Sequence, residues 1–307
     1  MKEAANSGHP QRWQVGSLWH NAFEKVMESH APSAASAPVA AAASGDVDLS
    51  ELEDSGLDDE KAIAVVASVK QGRDLQGFAA TLIKINRETS GKLILAPETG
   101  RKDIKIDKNL TFTVLGPHTA ELKKLEKQWQ ESKSKHPSDE KAAAADYLNR
   151  TVPNLSSIVF LAEHTDDAQR TTRMLLTGDA GGDLILEGLD AAGLLDDKKQ
   201  IKVDVLKIQH HGSNHSITEE FLRQVIANKY VISGNGKHGI PHMDVLGWLS
   251  NARDRQTCDI YMTNRNLSDG GTDLTKGLDE FLEKEAKCQP LHRYHFRKDT
   301  ELSIVVD

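Results

Sequence analysis

The sequence predicts an α/β fold, in which a layered sheet is flanked by helices. Three observations predict it. Apolar runs with strand composition alternate with helix-patterned runs from Leu110 onward. Two of those runs end on chemistry-bearing residues, Asp179 and the pair His210–His211. The polar, low-complexity stretches fall between the elements instead of interrupting them.

The first strand is LTFTVLGP, Leu110 to Pro117, closed by a Gly-Pro breaker. Thr119 then opens TAELKKLEKQW, where Leu122, Leu125 and Trp129 share one helical face and Glu121 sits in the first turn. SSIVFLAE and RMLLTGD flank the polar HTDDAQRTT, which is the pattern of a hairpin. DLILEGLDAAGLL reads as a helix with Gly193 near its end, and VDVLKIQ as a buried strand. TEEFLRQVI reads as a helix capped by Thr218. YVISGNG is a strand into a turn, HMDVLGWLSNA a helix, CDIYMTN a strand, and RYHFRKDTELSIVV a closing hairpin.

The chain has 307 residues, enough for one large domain or two modest ones. Ala31 to Gly45 is low-complexity, and Asp46 to Glu60 carries eight acids and no base. Together they predict a solvated insertion. Gln130 to Asp146 reads as a second surface excursion. Lys and Arg number 38 against 46 for Asp and Glu, a formal charge of −8. That balance argues against strong nucleic-acid or membrane-surface affinity, because neutralising phosphates takes clustered bases. Cys258 and Cys288 form no CxxC pair, so a reduced, cytoplasmic chain is expected. No run approaches the roughly 18 apolar residues of a membrane span.

Carboxylate and imidazole at strand ends suit zinc, manganese or iron. Each has a bland alternative. Asp179 in TGDAGGD would serve as the N-cap of the next helix, and the two histidines as hydrogen-bonded strand ends. No G-x-S-x-G elbow supports a serine nucleophile at Ser213, and no Gly-Lys-Ser/Thr supports a phosphate loop.

Four segments in this order, NLSSIVFLAE, MLLTGDA, VDVLKIQHHGS and YVISGNGKHGIP, resemble the metallo-β-lactamase superfamily, and within it the competence-type branch. The likeness runs from about Ala62 to Asn264, with WQVGSLWHNAF a further point of similarity. It implies an αββα sandwich of two packed mixed sheets and a two-metal hydrolytic centre on their common edge, with zinc as the expected metal and manganese as the alternative. Asp179 would bridge the metals, one of His210 and His211 would be a ligand, and the other would meet substrate or metal-bound water. Lys207, Ser213 and Asn154 would be substrate contacts, Lys207 as a point charge on phosphate. The bland alternatives are a Lys207 that reaches out to solvent and a Ser213 that caps a turn. The implied substrate is a small molecule or a phosphodiester.

Two departures stand out. The superfamily's principal motif, His-x-(His/Asp)-x-Asp-His, is opened by none of the thirteen histidines. The expectation is therefore a fold incomplete at its N-terminus, in a truncated or degenerate hydrolase: residues 1–30 a remnant, 31–60 an insertion, 61–307 the main domain. Second, Ile240 replaces the branch's Gly-His-Pro histidine. His238 is either a compensating catalytic imidazole or an ordinary turn residue. The competing reading is a non-catalytic binding scaffold.

Overall fold

The computed structural model describes residues 15–21, 83–137, 153–298 and 306. The chain divides into two compact units, one of Met1–Ile94 with Thr119–Ser156, the other of Leu95–His118 with Ser157–Asp307. The expected boundaries at residues 30/31 and 60/61 lie outside the described residues, as do 299–305, where the last hairpin would have its second arm.

In the first unit, β1 (Ser17–Leu18) pairs in parallel with β2 (Lys84–Ile85). Two asparagine side chains extend the pairing by acting as backbone. Buried Asn86 accepts from His20 N at 2.8 Å and donates to His20 O at 2.9 Å. Asn21 makes the same two-way contact with Ile94, both bonds 2.8 Å. Helix α1 (Thr119–Lys135) buries Leu122, Leu125 and Trp129, the predicted face. It also runs through Gln130–Lys135, so the expected surface excursion begins as helix. The buried face continues to Ser132, one turn beyond the predicted helix.

The second unit is built on one eight-stranded mixed sheet. Its members are β3 (Asp103–Lys105), β4 (Leu110–Gly116), β5 (Val159–Thr165), β6 (Thr171–Leu176), β7 (Ile201–Lys207), β8 (Val225–Ile232), β9 (Cys258–Met262) and β12 (His292–Phe296), with order β12-β9-β8-β7-β6-β5-β4-β3. The β3–β6 portion is antiparallel, and β6 through β12 run parallel. A short hairpin, β10 (Ser268–Asp269) with β11 (Thr272–Asp273), stands apart from it.

Register aligns Leu161, Leu175, Leu206, Tyr230 and Ile260 across one face. They share a core with Ile185 and Leu189 of α2 (Gly182–Ala191), Phe221 of α3 (Glu219–Gln224), Leu246 of α4 (Met243–Ala252) and Leu278 of α5 (Thr275–Cys288). Helices thus cover that face. The opposite face presents Phe112, Ala162, Met174 and Val205 in one row, with Phe160 packed on Phe112 at 4.5 Å between ring centroids.

Most predicted elements match; three differ. Helix α3 stops at Gln224, and Val225–Ile226 belong to β8, which follows with no loop. The closing segment supplies β12, parallel to β9. Helix α5 is an additional element, docked by a buried contact in which His292 Nδ1 lies 2.6 Å from Glu285 Oε1 while Ser250 donates to Oε2 at 3.0 Å. No helix among the described residues is long and apolar enough to cross a membrane.

Candidate functional site

The candidate residues collect at the carboxyl ends of β6, β7 and β8, where open α/β sheets place their ligands. Beyond β6, Thr177 is fully buried and its hydroxyl donates to Lys207 O at 2.7 Å, stitching β6 to β7. The Gly178 carbonyl accepts from Lys207 Nζ at 2.9 Å and from His210 N at 3.1 Å. Asp179 N donates to Ser157 Oγ at 3.3 Å. The loop that carries the carboxylate is therefore fastened to the strand that carries the histidines.

Beyond β7, Ile208 and Gln209 turn fully into the core. The backbone then takes three left-handed residues in succession, His210 (φ 46°), His211 (φ 55°) and Gly212 (φ 89°). Two non-glycine residues in that region carry strain, and such strain clusters at functional sites. It is over-determined here. Ser213 N donates to His210 O at 2.9 Å, His242 N to Gly212 O at 3.0 Å, and a Cβ on Gly212 would come within 2.7 Å of Pro241. The conformation splays the two rings, whose centroids are 6.4 Å apart at 66°.

Asp179, His211 and Lys207 form one cluster. His211 Nε2 lies 3.8 Å and Lys207 Nζ 3.9 Å from Asp179 Oδ1. His211 Nδ1 is held by the Ser233 carbonyl at 2.6 Å, with the hydroxyl at 3.1 Å. A carbonyl only accepts, so Nδ1 carries a proton, and in the neutral ring the lone pair is then on Nε2, on the carboxylate side. Burial pushes the Lys207 ammonium below the usual lysine range, partly offset by Asp179. Burial likewise pushes His210 down, again opposed by the Asp179 charge.

These donors fit a divalent cation in chemistry and spacing. Bonds of about 2.0–2.2 Å to nitrogen and oxygen let one cation span donors up to about 4 Å apart. An imidazole whose other nitrogen is bound to a carbonyl is the usual metal-ligand arrangement. The number of donors falls short: among the described residues no group of three or more His, Cys, Asp or Glu could hold a metal ion.

The other predicted residues divide. His210 is adjacent, with Nδ1 2.8 Å from Ser216 Oγ. Lys207 turns inward to the Gly178 carbonyl, not out to solvent. Asp179 does not cap α2, because Gly181 occupies the N-cap. Ser213 is buried and accepts from His215 N at 3.4 Å, a turn contact. His238 is exposed on the turn Lys237–Gly239 at φ 58°. Asn154 falls in the other unit. Sequence reasoning missed Ser216, Ser233 and Thr177, whose hydroxyls and carbonyls orient the cluster. It also missed His242, which caps α4 by position and accepts from Asn214 N at 3.2 Å. Small residues after apolar runs carry no periodic signal that would single them out.

One curated protein, ComE operon protein 3 of Bacillus subtilis (strain 168), is 38% identical over 68 residues, covering 22% of this chain and 8% of that protein. The chain thus spans less than a tenth of that relative's length. This partial likeness agrees with the competence-type resemblance of the motifs and reaches no further. No protein-family model matches the chain, and no solved structure matches it.

Proposed function

We propose that the chain carries part of a metal-dependent hydrolase centre of the metallo-β-lactamase type, acting on phosphodiester-like substrates. The carrying observation is His211, held through Nδ1 by the Ser233 carbonyl and set 3.8 Å from Asp179 Oδ1. Asp179 and His211 would hold a divalent cation, zinc or manganese. Such a cation acidifies water and polarises a phosphoryl oxygen. Lys207, beside the same carboxylate, places a positive charge where a phosphate would bind. Strain at His210–Gly212 keeps the imidazoles at the strand ends instead of letting them fold back. The partly buried Phe112, Phe160 and Met174 on the sheet's opposite face support a second layer there, as the two-sheet architecture requires.

Two donors are fewer than the three protein ligands of an ordinary catalytic zinc site. That shortfall favours the second reading, a scaffold that binds without turnover. Hydrolysis of a generic phosphodiester such as bis(p-nitrophenyl) phosphate by the full chain with added Zn²⁺ or Mn²⁺ separates the two. Turnover abolished by Asp179→Asn supports the hydrolase. Cation binding without turnover supports the scaffold.

A further inference from the structure

We propose that Ser216 is a positioning residue that fixes the His210 ring from its Nδ1 side, as the Ser233 carbonyl fixes His211. The inference rests on the hydrolase reading for its purpose, but not for its geometry. Adjacent residues with left-handed backbones send their side chains apart, and an imidazole can still turn over about its last torsion. A contact of 2.8 Å at Nδ1 selects one face of that turn.

Ser216 is built to supply it. The residue is 7% exposed. Its N–H donates to Ser213 O at 3.2 Å, and its carbonyl accepts from Gly182 N at 2.8 Å and from fully buried Gln209 at 3.3 Å. The residue that carries the hydroxyl is thus tied, through its own carbonyl, to the first residue of α2, the helix that the Asp179 loop enters. Carboxylate and His210 share one support. The anchors also differ in kind. A carbonyl locks His211 as the Nδ1–H tautomer, whereas a hydroxyl both donates and accepts, so it holds His210 in either tautomer.

The test is imidazole ¹⁵N NMR on the full, metal-free chain, comparing wild type, Ser216→Ala and Ser216→Thr. In Ser216→Ala the His210 Nδ1 resonance is expected to shift, as for a ring nitrogen that has lost its hydrogen bond, while His211 keeps its Nδ1–H pattern. Ser216→Thr, which retains the hydroxyl, restores the His210 pattern. With Mn²⁺ or Zn²⁺ and bis(p-nitrophenyl) phosphate, kcat falls about tenfold in the alanine variant with KM little changed, as for loss of an orienting partner. Unchanged His210 resonances in a folded Ser216→Ala overturn the proposal. Should that variant not fold, a wild-type Nδ1 of His210 lacking a hydrogen-bond signature overturns it equally. If wild type binds no cation and turns nothing over, the hydrolase reading fails while the spectra still decide Ser216.

Discussion

At the scale of single residues, the cluster is a balance between Lys207 and whatever cation Asp179 and His211 would hold. Lys207 Nζ is 3.9 Å from Asp179 Oδ1 and is partly desolvated. Unit charges about 4 Å apart interact by about 1 kcal/mol in water and about 4 kcal/mol near a protein surface. Lys207→Met is therefore expected to raise Mn²⁺ or Zn²⁺ affinity about tenfold while lowering phosphodiester turnover, measured by calorimetry and by steady-state kinetics. A variant with weaker cation binding would mean the ammonium assists the site. Gly212 tests the turn itself. At φ 89°, with Pro241 Cβ 2.7 Å from the position of a Cβ, Gly212→Ala has neither the conformation nor the space it needs. It should cost about 1–3 kcal/mol in urea unfolding. It should also displace His211 from Asp179.

At the scale of elements, α2 packs on the backbone of β4 at Gly188. A Cβ on Gly188 would lie 2.0 Å from Leu115 O, so this mid-helix glycine is where the helix touches the sheet's backbone. An ordinary helical Gly→Ala change stabilises by about 0.5–1 kcal/mol. Gly188→Ala should instead destabilise by about 3 kcal/mol, because α2 must lift off β4. The sign decides, and thermal unfolding reads it. Elements of this kind were legible wherever a breaker or cap stood at the boundary. Pro117, Thr218 and Gly193 marked their boundaries, and Thr218 does accept from Phe221 N at 3.1 Å. The boundary at Gln224 was not legible, since Val225 continues the apolar run without a turn residue. Helix α5 carries Leu278, Phe281 and Leu282 at helical spacing, so its signal is present in the sequence.

At the scale of the whole molecule, the parallel half of the sheet brings the ends of β6, β7 and β8 side by side, which no local pattern could state. Asp179 and the histidines were legible as strand-end residues. Their partners Ser216 and Ser233 were not, because a supporting hydroxyl or carbonyl acquires its role only from the tertiary neighbour it meets. The far edge of the same sheet fixes an acid-side property. Arg293, hydrogen-bonded to Asp259 at 2.6 and 2.8 Å, holds that carboxyl below its ordinary value of 3.8, with His295 adding to the effect. A carboxyl depressed in the folded state contributes stability that is complete above the unfolded value and lost as pH falls through the folded one. Urea unfolding from pH 5 downward should thus show a steeper loss for wild type than for Asp259→Asn, and equal slopes would remove Asp259 from the acid response. The central claim is that Asp179 and His211 together present donors to a divalent cation, and calorimetric titration of Mn²⁺ or Zn²⁺ into the full chain and its folded variants tests it most directly. The account predicts saturable binding in wild type that Asp179→Asn and His211→Ala each weaken at least tenfold. Affinity unchanged in both variants, or no binding in wild type, would contradict it.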